Sequence, residues 1–248
     1  MRNKMGHYEV LIKDPIIAEH IPETCWYNNK ALANMLEKYP SIYLKPNDNT
    51  GGNGIIRIKR IKKIKYLVSV DKKTKEIDQR MLNNVLKEVI NHPEKYIIQQ
   101  GIELSTYNYK PFDMRIVLQK ALNTWRLTLT SVKVAATRNA VVTNVSKGAT
   151  DYPLHKILQR YDQKKEPMII FREMIDLSHQ IANVLGNSKP LKIVGLDIAL
   201  DKSGKLWFIE ANEHPECGRC KLVNDQLSVK KYEKTSKLSK NEAIGKKG

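Results

Sequence analysis

The chain has 248 residues and a hydrophobic fraction of 41%, enough apolar material for one large or two small globular domains. No apolar run approaches the ~20 residues of a transmembrane helix, and residues 1–10 lack the hydrophobic stretch of a signal peptide. Because the chain holds only three cysteines, a disulfide-rich secreted scaffold is excluded and we expect a cytoplasmic protein.

The net charge of +17 suggests an anionic partner. Part of this charge lies in residues 221–248, where eight lysines stand against three acidic residues, and we expect this polar segment to be a disordered basic tail. The run RIKRIKKIK over residues 57–65 is typical of a half-buried strand with a basic solvent-facing side. A nucleic-acid module would also interleave stacking aromatic residues. None cluster here, so the pattern disfavours nucleic acid and leaves an acidic peptide or protein as a candidate partner.

The first half of the chain shows two helix patterns and four strand patterns. One helix is predicted over residues 29–38, where Leu32, Met35 and Leu36 form an apolar stripe. A second amphipathic helix is predicted over residues 79–90. The strands are predicted over residues 42–45, 55–61, 64–70 and 96–99. Together these elements predict a small unit around a glycine-rich stretch.

The second half predicts a larger unit with long strands. A long helix is expected over residues 166–185, ended by Gly186. The strands are predicted over residues 114–120, 125–135, 192–200 and 205–211. Because helices and strands do not alternate regularly, the order favours an α+β fold over a parallel βαβ sheet.

The stretch YLKPNDNTGGNGIIRI, residues 43–58, has two interpretations. Asn53 and Gly54 between apolar runs are typical of a hairpin turn, since both residues accept positive φ. Gly51 and Gly52 also remove side chains, which lets backbone N–H groups approach a phosphate. Neither a P-loop nor a dinucleotide fingerprint matches these glycines. The stretch by itself leaves a plain hairpin and a phosphate loop open.

The stretch GLDIALDKSGKLWFIEAN predicts an acidic hairpin. If it closes symmetrically about residues 202–203, Asp197 lies opposite Phe208 and diagonally across from Glu210. Alternation then puts these three side chains and Asn212 on one face. Two carboxylates and an amide oxygen are ligands that Mg²⁺ prefers, and a cation would relieve the repulsion between the acids. The alternative is a solvent-facing edge with ordinary acidic residues.

The segment CGRC, which holds Cys217 and Cys220, follows His214 closely. A structural zinc site would need a fourth ligand from Cys25 or from a distant histidine. The spacing therefore favours two ordinary thiols over a metal site or a disulfide.

These features stand in the order found in the ATP-grasp superfamily, which the chain resembles. A strand lysine (Lys45), the glycine loop TGGNG, the hinge IIQQGIEL and a hairpin ending in EAN follow one another. The segments FDMR (112–115), ATRN and TNVSKG (143–148) are similar to those of carboxylate–amine ligases. With IPET and YLKP included, the region from about residue 21 to residue 215 most resembles the YheC/YheD branch, the endospore coat-associated proteins of spore-forming bacteria.

The resemblance implies a fold in which two α+β subdomains hold a nucleotide between them. We divide the chain into an N-terminal helical segment (1–40), a lid subdomain (41–103), a core subdomain (104–220) and the basic tail (221–248). The resemblance also assigns roles. Two Mg²⁺ ions would be bound by Asp197, Glu210 and Asn212, with Glu210 bridging them. The ATP-binding residues would be Lys45, Thr50, Gly51, Gly52, Asn53, Gly54, Gln99, Gln100, Ile102 and Glu103.

The implied activity is ATP- and Mg²⁺-dependent ligation of a small-molecule or peptide carboxylate to an amine. The γ-phosphoryl group would pass to the carboxylate, and the amine would attack the resulting acyl phosphate, leaving ADP. Arg115 and Arg138 would neutralise the transferring group, while Asn144, Ser146 and His214 would contact substrate. A catalytically inactive nucleotide-binding spore-coat protein and a basic nucleic-acid-binding protein remain as alternatives.

Two positions depart from better-known ligases. Gly195 stands two residues before Asp197, where D-alanine ligases often carry an arginine, so Arg115 or Arg138 must supply that charge. EHPECGRC follows Asn212 in place of a small Pro-Gly loop. These departures leave the acid and the amine open.

Overall fold

The structure is a computed structural model that describes residues 3–49, 51–71, 73–162 and 165–244. Its strands form two six-stranded sheets. The lid sheet has the order β1-β6-β2-β3-β4-β5, with neighbouring strands antiparallel. These strands are β1 (Thr24–Trp26), β2 (Ser41–Pro46), β3 (Ile56–Lys62), β4 (Lys65–Val70), β5 (Lys73–Asp78) and β6 (Tyr96–Gln100).

Two amphipathic helices cover one face of the lid sheet. The helix α3 (Asn29–Lys38) has the predicted bounds, and the Asn28 side chain caps it by accepting from the N–H of Ala31 at 2.8 Å. The second predicted helix begins as a 3₁₀ turn (Gln79–Met81) and continues as α4 (Leu82–Val89); another 3₁₀ turn (Pro93–Lys95) precedes β6. Sequence patterns missed β5, because within KTKEID only Ile77 is buried and no apolar alternation marks the strand.

The core sheet has the order β10-β9-β8-β11-β12, and the short β7 pairs with β8. Its strands are β7 (Thr106–Tyr107), β8 (Lys110–Ala121), β9 (Thr124–Val134), β10 (Thr150–Tyr152), β11 (Ile193–Leu200) and β12 (Leu206–Asn212), and a 3₁₀ turn (Val145–Lys147) precedes β10. One face packs against α5 (Leu154–Leu158) and α6 (Pro167–Ser188) in the larger hydrophobic core. Among the described residues no helix is both long and apolar enough to span a membrane.

The prediction that Gly186 ends the long helix is wrong. The helix α6 runs on to Ser188, and Gly186 lies inside it against the Trp125 ring. A Cβ at this position would lie 2.8 Å from Trp125 Cζ2. Gly186 therefore allows a close helix–sheet approach, which the sequence does not distinguish from a C-terminal cap.

The structure divides the N-terminal segment 1–40 between the two units. The helices α1 (Lys4–Leu11) and α2 (Pro15–Ala18) contribute Met5, Tyr8 and other apolar side chains to the core that lies under the core sheet. By contrast, β1 and α3 belong to the lid sheet and its core. The N-terminal segment therefore links the two units.

The prediction of a disordered tail over residues 221–248 is wrong for most of its length. The short helix α7 (Gly218–Leu222) is followed by α8 (Gln226–Ile244), which packs on β8 and β9. Thr235 and Ser239 are buried on α8, and Gln119 Nε2 of β8 donates to Ser236 Oγ at 2.6 Å. Five of the lysines that suggested disorder are exposed on this helix, namely Lys230, Lys231, Lys234, Lys237 and Lys240; residues 245–248 lie outside the described residues.

Candidate functional site

A cluster of four charged side chains lies on the face of the core sheet opposite its hydrophobic core. Side chains alternate along β8, so Asp113 and Arg115 leave the face that buries Met114 and Ile116. Lys133 of β9 is the cross-strand partner of Asp113, and Asp197 of β11 is the partner of Arg115. We call Asp113, Arg115, Lys133 and Asp197 the charge cluster.

Two cations hold the carboxylate of Asp197. Arg115 donates from Nε to Oδ1 at 2.5 Å and from Nη2 to Oδ2 at 3.0 Å. Lys133 Nζ lies 3.1 Å from Asp197 Oδ2 and 2.9 Å from Asp113 Oδ1. The hydroxyl of Thr143 donates to the other oxygen of Asp113. Every member of the cluster is therefore paired with an opposite charge.

Burial and pairing move the two aspartate pKa values in opposite directions. For Asp113, burial outweighs the attraction of Lys133 and raises the pKa to about 6. For Asp197, burial acts in the same sense, but Arg115 and Lys133 together outweigh it and lower the pKa to about 2. Burial would lower the pKa of Lys133, but the two aspartates raise it. At neutral pH we therefore expect Asp197, Lys133 and Arg115 to be charged, while Asp113 can take up a proton near pH 6.

The acidic hairpin has a different register from the predicted one. The structure pairs Leu200 with Leu206 and Ile198 with Phe208, one residue away from the predicted register, because the turn is one residue longer than symmetric closure assumes. A β-bulge between Asp197 and Ile198 adds a second shift, so Asp197 pairs directly with Glu210. Phe208 is consequently buried in the hydrophobic core instead of sharing the acidic face. The two carboxylates are direct cross-strand neighbours and not diagonal ones. Symmetric counting from the turn missed two residues, one in the turn and one in the bulge.

The three predicted metal ligands lie at neighbouring positions on this face. Asn212 pairs with Gly195, two residues along β11 from Asp197. Its Oδ1 accepts from the backbone N–H of His214 at 3.0 Å. Within the described part of the chain, the Glu210 carboxylate has no hydrogen-bond or ion-pair partner. Among the same residues, no group of three His, Cys, Asp or Glu side chains could hold a metal ion.

Lys45 lies at the end of β2 and faces the core sheet. It is buried, and its Nζ donates to Gln99 Oε1 at 2.5 Å. Burial lowers the pKa of Lys45 to about 8, while the charges of Glu210, Asp113 and Asp197 act on Lys45 in the opposite sense. These electrostatic contacts show that the lid lysine lies near the charge cluster and Glu210.

The glycine turn joins two antiparallel strands, so the hairpin interpretation is correct for its backbone. Gly51, Gly52 and Gly54 have φ values of 71°, 74° and 72°, where glycine is strongly favoured. Thr50 lies outside the described residues. Ser146 donates from its hydroxyl to the carbonyl of Gly51 at 2.9 Å, which brings the loop before β10 against the turn.

The same loop carries Asn144, another predicted substrate residue. Asn144 caps the 3₁₀ turn there by accepting from Ser146 N at 2.9 Å, and a Cβ on Gly52 would lie 3.7 Å from Asn144 Cβ. Arg57 of the lid donates to the carbonyls of Asn139 and Ala140. The loop before β10 thus contacts both the glycine turn and β3 of the lid.

The predicted adenine hinge begins at the end of β6 and continues into the segment that follows it. Gln99 is buried and bridges Lys45 to Thr24, whose hydroxyl accepts from Gln99 Nε2 at 3.0 Å. The side chain of Gln100 accepts from the N–H of Glu23. Ile102 is partly buried, whereas Glu103 is exposed and pairs with Lys202 at 2.5 Å.

The two predicted arginines lie in different surroundings. Arg115 belongs to the charge cluster, whereas Arg138 is exposed on the loop after β9 and stacks over the Tyr109 ring at 5.9 Å. Sequence reasoning missed Lys133, which the structure brings between the two aspartates. A lone lysine within the apolar strand SVKVAA was the available signal, because such a residue is rarely buried without a partner.

His214 and the two cysteines of CGRC do not form a metal site. His214 is exposed, and Cys217 and Cys220 are free, buried thiols packed against α8. Burial raises the pKa of both thiols, that of Cys220 to about 11, so both stay protonated at neutral pH.

Comparison with known proteins places this fold and site in a family. A family model described as YheC/D like ATP-grasp matches residues 1–239. The chain is 29% identical over 223 residues to the endospore coat-associated protein YheD of Bacillus subtilis (strain 168), covering 86% of this chain and 48% of YheD. It is 25% identical over 207 residues to YheC of the same organism, covering 81% of this chain and 56% of YheC. The chain thus spans about half the length of these relatives.

A solved structure shows the same fold. D-alanyl-alanine synthetase A from Vibrio cholerae O1 superposes with a TM-score of 0.54 at 10% identity, covering 97% of this chain and 65% of that one. Such low identity supports the fold alone. Together with the match over residues 1–239, it shows that the chain belongs to the YheC/D-like ATP-grasp family.

Proposed function

We propose that the protein is an ATP- and Mg²⁺-dependent carboxylate–amine ligase that forms ADP through an acyl phosphate. The observation that carries this proposal is that Lys45 of the lid lies close enough to Glu210, Asp113 and Asp197 for their charges to act on it, which brings a lid cation to the acidic face of the core sheet. Three cations, Lys45, Arg115 and Lys133, can there neutralise a transferring phosphoryl group. Carboxylate–amine ligation also matches the product named for the V. cholerae neighbour, a dipeptide.

The donor set fits Mg²⁺. Asp197, Glu210 and Asn212 supply oxygen ligands, which Mg²⁺ prefers. A carboxylate offers about four lone-pair sites, and Asp197 uses three of them for Arg115 and Lys133. One site remains on Asp197, and the Glu210 carboxylate is open. When bound with the nucleotide, Mg²⁺ would neutralise the phosphate oxygens.

We assign separate roles to the lid residues and to the residues of the core sheet. Lys45 and the backbone of the glycine turn would bind the phosphates, while Arg115 and Lys133 would supply the charge that other ligases place at the position of Gly195. We propose a peptide or small-molecule carboxylate and an amine as substrates, and a cytoplasmic, spore-associated location in line with the names of the relatives.

A second candidate is a nucleotide-binding coat protein without turnover. The observation that favours it is the pairing of Asp197 with two cations, which leaves this carboxylate a weaker metal ligand than a free one. This candidate predicts that ATP and Mg²⁺ bind but that no ADP forms with any acid and amine.

The first test is a thermal-shift measurement with ATP and Mg²⁺ on the wild type and on Glu210→Gln. Ligand at ~100 times its Kd should stabilise the wild type by about 2.7 kcal/mol. Glu210→Gln should lose most of this stabilisation, because its amide replaces the open carboxylate. The matched control is Glu216→Gln, an exposed acid after the hairpin that should behave as the wild type.

Turnover then separates the two candidates. The protein with ATP, Mg²⁺ and panels of amino acids and peptides should release ADP and phosphate if it is a ligase. Binding without turnover across the panel would favour the coat protein. If ATP with Mg²⁺ stabilised the wild type no more than Mg²⁺ alone, both nucleotide proposals would be refuted.

A further inference from the structure

The first turn of α1 packs directly against the segment that leads into the glycine turn. Lys4 is buried, with 6% of its surface exposed. Its Nζ donates to the carbonyl of Pro46 at 3.1 Å and to the carbonyl of Asn49 at 2.6 Å. One ammonium group therefore ties together both ends of residues 46–49, immediately before the turn.

Asn47 adds further contacts to the same segment. Its side-chain oxygen accepts from the N–H of Met5 at 2.8 Å, and its backbone carbonyl accepts from the N–H of Lys4 at 3.2 Å. Its side-chain amide donates to Asn3 Oδ1 at 3.1 Å. The first N–H groups of an α-helix have no hydrogen-bond partner inside the helix. Asn47 accepts from two of them, those of Lys4 and Met5, and these hydrogen bonds also fix the position of residues 46–49.

The other side of α1 is attached to the acidic hairpin. The Tyr8 hydroxyl donates to the carbonyl of Ile209 at 2.5 Å, and the Tyr8 ring meets Phe208 edge to face at 5.8 Å. His7 Nε2 lies 3.0 Å from Glu213 Oε1. One helix of eight residues thus contacts the approach to the glycine turn and the strand that carries Glu210.

Lys4 also adds positive charge beside Lys45. The two ammonium groups are close enough that the charge of Lys4 contributes to lowering the pKa of Lys45. Two like charges held near each other at a buried site repel, and a bound polyanion relieves that repulsion. A triphosphate is such an anion, and the glycine turn follows directly after residues 46–49, which Lys4 contacts.

We propose that Lys4 is a positioning residue of the phosphate site and that the first turn of α1 belongs to the nucleotide-binding machinery. Lys4 acts through the carbonyls of Pro46 and Asn49, which set where the glycine turn lies relative to Glu210. This inference rests on the proposed nucleotide function and extends it to a part of the chain outside the glycine loop, the hinge and the hairpin.

The test compares the binding of ATP with Mg²⁺ and of adenosine by calorimetry. Because Lys4 is the charged donor to the carbonyls of Pro46 and Asn49, Lys4→Met should raise the Kd for ATP at least about tenfold. The Kd for adenosine should change less than about twofold, because adenosine has no phosphate. Lys4→Arg, which keeps the charge, should recover part of the affinity. Lys13→Met removes an exposed lysine just after α1 and serves as the matched control.

Asn47→Ala provides a second variant that removes no charge, and it should weaken ATP binding while leaving adenosine binding unchanged. The proposal is overturned if Lys4→Met and Asn47→Ala bind ATP as the wild type does. It is also overturned if they lose ATP and adenosine to the same extent, since that pattern would mean a general folding role. A wild type that binds neither ligand would instead refute the proposed function itself, and the positioning role with it.

Discussion

Replacing Lys133 with methionine removes the cation that lies between two buried carboxylates. Lys133 Nζ lies 2.9 Å from Asp113 and 3.1 Å from Asp197, and its side chain is 8% exposed. At an effective dielectric constant of about 20, each contact corresponds to about 5–6 kcal/mol before desolvation is counted. Because desolvation offsets much of this, removing one partner of a buried pair costs about 3–5 kcal/mol. We expect Lys133→Met to lose that amount of unfolding free energy at pH 8.

The loss should depend on pH in a defined direction. Burial has raised the pKa of Asp113 to about 6, above its ordinary value of 3.8, and removing Lys133 raises it further. A raised carboxyl pKa means that the folded state binds a proton that the unfolded state has released, so stability falls as pH rises through the folded-state pKa. At pH 5 Asp113 is already largely protonated in both proteins. The deficit of Lys133→Met should therefore shrink at pH 5 to about half its value at pH 8.

Urea unfolding followed by tryptophan fluorescence at pH 5 and pH 8 measures both quantities. Arg126→Met is the matched control, because Arg126 lies exposed on the same strand β9 and its removal should change stability by less than about 0.5 kcal/mol. A deficit below about 1 kcal/mol at pH 8, or a larger deficit at pH 5 than at pH 8, would refute the reasoning about the charge cluster.

Two further predictions concern packing. Gly186→Ala should lower the unfolding free energy, measured in thermal melts, by up to about 2 kcal/mol. The reason is that overpacking against the Trp125 ring, which costs about 1–3 kcal/mol, outweighs the preference of helices for alanine over glycine, which is about 1 kcal/mol. Gly218→Ala is the control, because a Cβ there would meet nothing within 4 Å and stability should hardly change; a Gly186→Ala variant more stable than the wild type would contradict this packing. Removing residues 226–248 should uncover Val117 and Leu129 and lower both the melting temperature and the soluble yield; unchanged values would mean that α8 adds no packing energy.

Local sequence patterns predicted the helices and strands whose apolar residues lie on one face and pack against one hydrophobic core. The helix over residues 29–38 was predicted with the bounds that the structure shows, since Leu32, Met35 and Leu36 recur at helical spacing. The long strands were predicted to within a few residues for a similar reason. By contrast, β5 is almost entirely polar, and its strand conformation comes from pairing with β4, a contact that periodicity within the segment does not reveal.

The candidate site was predicted as a set of residues and not as an arrangement. The sequence placed Asp197 and Glu210 on one face, and they do share it, but as direct neighbours because of the longer turn and the bulge. It singled out Arg115 and Arg138 together, whereas only Arg115 reaches the charge cluster. Lys133 was missed because its role depends on the pairing of β9 with β8, which no residue near it in the chain indicates.

The amino-acid sequence by itself determined the α+β character, the glycine turn with its preceding lysine, the alternation that puts acids on one face of a hairpin, and the order of features that marks the family. Each of these follows from the conformational preferences of a short segment or from the order of segments along the chain. Only the tertiary structure decided that α1 ties the glycine turn to the hairpin, that a lysine-rich C-terminal segment folds as α8, and that Lys133 completes the charge cluster. Those outcomes depend on contacts between residues far apart in sequence, whose energies arise only when the two sheets and their helices pack together.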